Sequence, residues 1–282
     1  MQGYITLATG SRTYFEMALN LALSLSVNDP NRPRCLLTDR PQNLPRAFHR
    51  HFDVIRDIKD RPGSYGCPNK LQVQALSPFK ESMFIDADCI VAKPDMDRHW
   101  AKLAGRPIGI SAEKKTAGTW HGIEIADVIS ELGIDYVGVM NSGVFCFGAN
   151  SASAAFFDTA LKLVTSHWTL LGSVHRQNRL ADEPFIGAAL GLHRIEPVKY
   201  APEEGSVMVT TYRASDTACD PFLGRSELVK RGDFAVLGRL WPRSSVQHSP
   251  SVVHFVRLRP RAAYQSISDR LRAYFSIERF DF

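Results

Sequence analysis

Ser82-Met83-Phe84-Ile85-Asp86-Ala87-Asp88-Cys89-Ile90-Val91 decides how this chain is read. An apolar run with the look of a buried strand ends in two carboxylates one residue apart, and a second apolar run follows. Carboxylates held this close to a core are costly without a partner. A divalent cation is a suitable one, because hard oxygen ligands match Mg²⁺ or Mn²⁺. A metal at a strand end is also a common means of gripping a diphosphate. A solvated, Asp-rich turn is the alternative, but such turns are seldom bracketed by Met-Phe-Ile and Cys-Ile-Val.

Outward from this stretch the pattern is α/β. Tyr4-Ile5-Thr6-Leu7-Ala8 reads as a first strand, and Thr9-Gly10-Ser11-Arg12 as a turn. Met17, Leu21, Ala22 and Leu25 then recur at helical spacing. Asn28-Asp29-Pro30-Asn31 breaks the chain, Cys35-Leu36-Leu37 is a buried strand, and Asp53-Val54-Ile55 another. Such β-α-β alternation with short connections implies a parallel sheet covered by helices. A short helix is expected over Lys70 to Leu76, a strand from Pro107-Ile108-Gly109-Ile110, and an irregular or partly helical excursion over 112–136. Asn141-Ser142-Gly143-Val144-Phe145-Cys146-Phe147 is a strand with a polar entrance. The following helix, with Phe156, Phe157, Ala160, Leu161 and Val164, is expected to be capped by Ser151 or Ser153. Asp182 to Leu190 reads as helix, 201–250 as loop-heavy, and Val252-Val253-His254-Phe255 as a last strand. No internal repeat or low-complexity linker interrupts the chain.

The 282 residues suffice for a large single core. Their 44% hydrophobic and 22% charged content is that of a globular protein. No apolar stretch is long enough to span a bilayer, and Met1 leads directly into the first strand without a signal-like segment. Five cysteines, at 35, 67, 89, 146 and 219, lack metal-type spacing. Cys35, Cys89 and Cys146 read as small core residues, and the set points to the reducing cytosol. The net charge of +5 is compatible with an acidic ligand but selects none.

Four further segments have two readings each. Leu7-Ala8-Thr9-Gly10 follows the first strand, where ligands of open parallel sheets bind, or is an ordinary turn. Lys70 in Asn69-Lys70-Leu71 offers a point charge for a phosphate, or is a solvated lysine. Asn141-Ser142 can hydrogen-bond a sugar hydroxyl, or form an edge turn around Gly143. His254 is a good Mn²⁺ ligand beside carboxylates, or a satisfied core histidine.

In order and spacing these segments resemble the glycosyltransferases of the GT-A fold. They are nearest the retaining group that includes glycogenin and the bacterial lipopolysaccharide galactosyltransferases. The resemblance rests on the strand and helix from Tyr4 to Leu25, Asn69-Lys70-Leu71, Phe84-Ile85-Asp86-Ala87-Asp88, Asn141-Ser142-Gly143-Val144-Phe145, Asp182-Glu183 and Val252-Val253-His254-Phe255. It implies a GT-A (Rossmann-like), mostly parallel central sheet with flanking helices in a single domain over 1–260. Residues 261–282 would then be a basic amphipathic C-terminal helix or tail. It further implies a hexosyltransferase acting on a nucleotide-diphosphate sugar, a UDP-sugar, with Mn²⁺ or Mg²⁺ held by Asp86, Asp88 and His254. Leu7, Thr9 and Tyr14 would frame the base. Lys70 would approach the phosphates or donor sugar, and Asp86 would be shared with the ribose. Asn141 and Ser142 would lie near the reacting centre, and Asp182 would bind donor-sugar hydroxyls.

The chain departs from that family in three places. Asp182-Glu183 stands where Asp-Gln is usual. Val256-Arg257-Leu258-Arg259-Pro260 replaces the usual Gly and Lys after the late His-Phe, leaving Arg257 or Arg259 to meet the phosphates. Gly10-Ser11 replaces the usual Asn-Asp. Retention is expected, with the leaving phosphate taking the acceptor proton. An inverting reaction would need Glu183 or Asp182 as base. The rival readings are a nucleotidyltransferase and a non-catalytic nucleotide-binding adaptor. The acceptor class is open among a glycan, a lipid-linked sugar and a hydroxymethylated nucleic-acid base, with 112–136 and 201–250 expected to shape its site. In the C-terminal segment, Tyr264, Ile267, Leu271 and Phe275 form an apolar helical stripe, with Arg261, Arg270 and Arg272 adding charge. That stripe would either lie on an anionic membrane or DNA, or pack on the domain's own core.

Overall fold

The computed structural model describes residues 1–59, 67–172, 174–175, 179–201, 203–231 and 245–277. Four parallel strands, β1 (Gln2–Ala8), β2 (Arg34–Thr38), β3 (Val54–Asp57) and β4 (Glu81–Ile85), form the centre. Their spatial order is β3-β2-β1-β4, and the Val144–Gly148 strand pairs antiparallel on the far side of β4. The period-two alternation expected of a sheet buried on both faces is visible residue by residue. Ile5, Phe84, Phe145 and Phe147 point into one core cluster, whereas Tyr4, Met83, Ile85 and Cys146 point into another on the opposite face.

The order reverses between β1 and β4, since β2 and β3 lie to one side of β1 and β4 to the other. That switch point, beyond the carboxyl ends of the strands, is where open α/β sheets bind ligands. Thr9 follows β1 at this edge and Asp86 follows β4.

Helix α1 (Arg12–Asn28) starts at Ser11, whose side chain accepts from Thr13 N–H, and covers one face with Phe15, Leu19, Leu21 and Leu23. It also holds β5 (Cys89–Val91): Ser24 Oγ accepts from Val91 N at 3.0 Å, and Asn28 Nδ2 donates to Val91 O at 3.0 Å. β5 begins a second small sheet. The Val252–His254 strand runs antiparallel to it, with His254 opposite Cys89, and Met208–Thr210 lies parallel to Val252–His254. A distant piece of chain is thereby brought beside Asp88.

Three expectations need correcting. Pro107–Ile110 forms no strand. Both Gly109 backbone groups bond Cys146, whereas Ile110 O accepts from Val198 N, so neighbouring residues serve different partners and no ladder continues. The Ser151–Ser166 helix is capped by Asn150, whose Oδ1 accepts from Ser153 N at 2.9 Å, and not by Ser151 or Ser153. Ser153 Oγ instead accepts from Gly148 N, which ties the helix to the preceding strand. The described part of 201–250 contains a three-stranded antiparallel sheet of Ala214–Asp220, Arg225–Arg231 and Ser245–His248.

The C-terminal stripe takes the second of its two readings and packs on the domain's own core. Tyr264, Ile267 and Leu271 of the Arg261–Tyr274 helix are buried. Asn20 Nδ2 of α1 donates to Tyr264 Oη at 3.1 Å and to Ser268 Oγ at 3.0 Å, and Arg272 Nε donates to Asn20 Oδ1. Those apolar residues face the domain's own core and are not available to a membrane or to DNA. No helix among the described residues is long and apolar enough to cross a membrane.

Candidate active site

Asp86 caps β4. Its backbone N–H continues the sheet by donating to Gly143 O at 2.9 Å, and its carbonyl accepts from Cys89 N at 3.0 Å, closing a turn through Ala87 and Asp88. The turn carries the carboxylates of Asp86 and Asp88 out of the two flanking strands while Ala87 stays buried. Asp88 O in turn accepts from Phe255 N at 3.0 Å, which locks the turn to the strand bearing His254.

Two polar clusters meet there. In the first, His254 Nε2 lies 3.0 Å from Asp88 Oδ1, and its Nδ1 lies 3.1 Å from Asn141 Oδ1. An amide oxygen only accepts, so Nδ1 carries the proton and Nε2 is aimed at Asp88. Asn141 Oδ1 also accepts from Gly143 N at 3.0 Å. A side chain at Gly143 would intrude here, since a Cβ would sit 2.9 Å from Asn141 Oδ1 and 3.0 Å from His254 Nδ1. Burial favours the neutral imidazole, but the adjacent Asp88 carboxylate outweighs it and raises the His254 pKa.

Lys70 centres the second cluster. Its ammonium lies 2.9 Å from Asp86 Oδ1, 3.2 Å from Asp182 Oδ2 and 3.0 Å from Ser142 Oγ. The Ser142 hydroxyl donates to Asp182 Oδ2 at 2.6 Å. Burial opposes the charge on Lys70, but Asp182 and Asp86 together hold its pKa above the ordinary value. The two carboxylates respond in opposite directions. Burial raises the Asp86 pKa despite Lys70, whereas for Asp182 the desolvation is overcome by Lys70 and the Ser142 hydroxyl, and its pKa falls.

Glu183 opens the Glu183–Leu192 helix beside this cluster. Its Oε1 accepts from Ser142 N at 3.4 Å, and its Oε2 lies 2.8 Å from His121 Nε2. His121 was not anticipated from sequence. It sits at the tip of a hairpin pairing Thr119–Trp120 with Ile123–Glu124, where His121 (φ 53°) and Gly122 (φ 77°) both take the left-handed conformation of a two-residue turn. The run Gly118-Thr119-Trp120-His121-Gly122 carried that signal, although histidine is an uncommon residue for it.

The structure thus brings Lys70, Asp86, Ser142, Asp182 and Glu183 into one bonded network, and Asp88, Asn141 and His254 into its neighbour. Leu7 and Tyr14 are partly buried against the core on either side of the β1 turn. Thr9 O accepts from Ser11 N in the same turn. Asp39, at the end of β2, was also missed: its Oδ2 accepts from Gly10 N at 2.9 Å and holds the turn in place. Arg257 and Arg259 are exposed just beyond His254. Arg257 and Leu258 are left-handed (φ 56° and 54°) and line an open groove of about 460 Å³ with Arg261 and Gln265.

Asp88, Cys89 and His254 present ligand atoms within 4.8 Å of one another. Burial and the nearby Asp88 and Asp86 push the Cys89 thiol well above its ordinary pKa. It is therefore a poor source of thiolate, and the effective donors are carboxylate and imidazole. That donor set fits Mn²⁺, or Mg²⁺, better than a thiolate-seeking metal.

No protein-family model matches the chain, and no curated protein matches it by sequence. Solved structures do resemble it. The glycosyltransferase GlyE of Streptococcus pneumoniae TIGR4 superposes with a TM-score of 0.56 at 12% identity over 98% of this chain, which spans 64% of the GlyE chain. The galactosyltransferase LgtC, solved in complex with donor and acceptor sugar analogs, superposes with a TM-score of 0.52 at 13% identity over 96% of each chain. At such identities the likeness is one of architecture, and the chain has the GT-A glycosyltransferase fold.

Proposed function

We propose that the protein is a metal-dependent glycosyltransferase that moves a hexose from a UDP-sugar to a hydroxyl acceptor with retention of anomeric configuration. One observation carries this reading. A carboxylate–imidazole pair, Asp88 and His254, and a buried cation–carboxylate cluster, Lys70 with Asp86 and Asp182, lie side by side just beyond the carboxyl end of β4, at the switch point of the sheet.

Asp88 and His254 would hold Mn²⁺ or Mg²⁺, with Asp86 across the turn. A bound cation supplies positive charge beside the diphosphate as the sugar–phosphate bond breaks. Leu7, Thr9 and Tyr14 would bound the base, and Arg257 or Arg259 would meet the phosphates from the edge of the groove. Asn141 keeps His254 in the tautomer with Nε2 available. Lys70 holds Asp182 and Ser142 in fixed positions, suited to binding sugar hydroxyls.

The way the carboxylates are engaged supports the retaining reading. Asp182 accepts from Ser142 Oγ and faces Lys70, and its pKa is lowered, so it is a weak base. Glu183 accepts from Ser142 N and pairs with His121. The acceptor oxygen would bond the anomeric carbon on the face that the diphosphate leaves. As the anomeric carbon–phosphate oxygen bond breaks, the acceptor proton would pass to the departing phosphate oxygen.

The test is a panel of UDP-hexoses with Mn²⁺, scored for turnover and for product anomer by NMR. Metal-dependent turnover with a retained anomer is expected. An inverted product would overturn the retaining assignment, and full activity in EDTA the metal assignment. Pyrophosphate release from a nucleoside triphosphate and a sugar phosphate would replace the reading with a nucleotidyltransferase. Mn²⁺ binding without turnover of any sugar nucleotide would replace it with a nucleotide-binding adaptor.

A further inference from the structure

The network that Lys70 centres ends at His121, reached through Ser142 and Glu183, while the Asp88–His254 cluster stands beside its other side. His121 is placed there by its own hairpin. Trp120, the residue before it, packs against the Glu183–Leu192 helix: a Cβ at Gly187 would lie 3.0 Å from the Trp120 ring. The Trp120 and His121 rings meet edge to face with centroids 5.1 Å apart. Trp120 and His121 are both only partly buried, and the carboxylate of Glu183 lies beside His121.

An aromatic ring, an imidazole and a carboxylate side by side match the two surfaces of a pyranoside. Its C–H face is apolar and lies on aromatic rings, and its rim of hydroxyls donates to carboxylates. We infer that the Trp120–His121 hairpin tip, with Glu183, is the acceptor-sugar subsite, and that His121 is a positioning residue that fixes the Glu183 carboxylate toward an acceptor hydroxyl. The inference rests on the glycosyltransferase reading above and names the acceptor class as a glycoside. The Glu at 183 is part of the argument, because a carboxylate only accepts hydrogen bonds and so selects a partner that donates them.

The experiment uses the full chain with Mn²⁺ and UDP-glucose or UDP-galactose. The acceptors are methyl β-glucoside, methyl β-galactoside and lactose, and hydrolysis of the donor is followed in parallel. His121→Ala is expected to raise the KM for the glycoside at least tenfold while moving the KM for the UDP-sugar by less than threefold. His121→Gln, which keeps an N–H within reach of Glu183, is expected to recover most of that loss. Trp120→Ala should raise the glycoside KM in the same selective way. An unchanged glycoside KM in His121→Ala, or an equal rise in both KM values, overturns the inference alone. Donor hydrolysis with no transfer to any of the three glycosides overturns it as well, because sugar hydroxyls are the class it names. Absence of any UDP-sugar turnover in the parent protein removes the glycosyltransferase reading and this subsite together.

Discussion

Asp88 and His254 make the smallest unit on which the proposed chemistry depends, and the unit can be tested without knowing the acceptor. Asp88→Asn keeps the shape and a hydrogen-bonding oxygen but removes the charge that a cation would require. Mn²⁺ affinity measured by calorimetry should fall at least tenfold, and metal-dependent turnover should be lost. The thermal unfolding free energy should change by no more than about 1 kcal/mol, since a polar group still faces His254. Wild-type Mn²⁺ affinity in this variant would remove Asp88 from the ligand set. The two aspartates stood out in the sequence because carboxylates rarely end a core strand without a purpose. Lys70 was marked by the resemblance and not by its own surroundings, because a lone lysine looks solvated until the fold surrounds it with Asp86, Asp182 and Ser142. His121 was harder still, since its place comes from two successive left-handed residues that no hydrophobic period announces.

Among the elements, the Glu183–Leu192 helix does most to set the site geometry, and two glycines determine where it lies. A Cβ at Gly187 would stand 2.4 Å from Gly138 O, and one at Gly191 would stand 2.3 Å from Tyr136 O. Four residues apart, they share one helix face and let the helix backbone settle directly on the segment around the Val137–Val139 strand. Gly187→Ala must therefore push the helix off that strand, carrying Glu183 and Asp182 with it. Overpacking of this kind costs roughly 1–3 kcal/mol. The variant should unfold at lower denaturant, and its turnover should fall by more than its stability loss explains. Unchanged turnover in the folded variant would show that this packing does not set the site. The helix itself was legible in Asp182–Leu190, but its seat was not, because close backbone approach leaves no hydrophobic pattern. Ala214–Asp220, a strand that reads as loop, is hidden for a different reason: Ser215, Asp216 and Ala218 are exposed and none of its residues is fully buried, so no hydrophobic alternation marks it.

At the scale of the molecule, the β-α-β order and the parallel sheet were legible because each step is local. The pairing of Val252–His254 with β5 was not, since Ile90 and Val253, far apart in the sequence, must meet before either strand has a partner. One buried histidine reports on that long-range assembly. His99, on the Met96–Leu103 helix, is fully buried, with Nδ1 3.0 Å from Tyr200 Oη and Nε2 2.7 Å from Ser251 Oγ, beside the strand that delivers His254. Burial, followed by the nearby Arg98, pushes its pKa down from 6.5 to about 4. Above pH 6.5 His99 is neutral in both folded and unfolded chains, and its contribution is complete. As the pH falls from 6.5 toward 4, the unfolded chain takes up a proton that the folded one refuses, and stability is lost. The window of about 2.5 pH units sets a loss on the order of 3 kcal/mol. Denaturant unfolding of the parent protein and of His99→Gln should therefore converge as the pH is lowered from 7 to 4, because only the parent loses this contribution. Parallel curves for the two proteins across that window would show that His99 does not couple protonation to the assembly of these three segments.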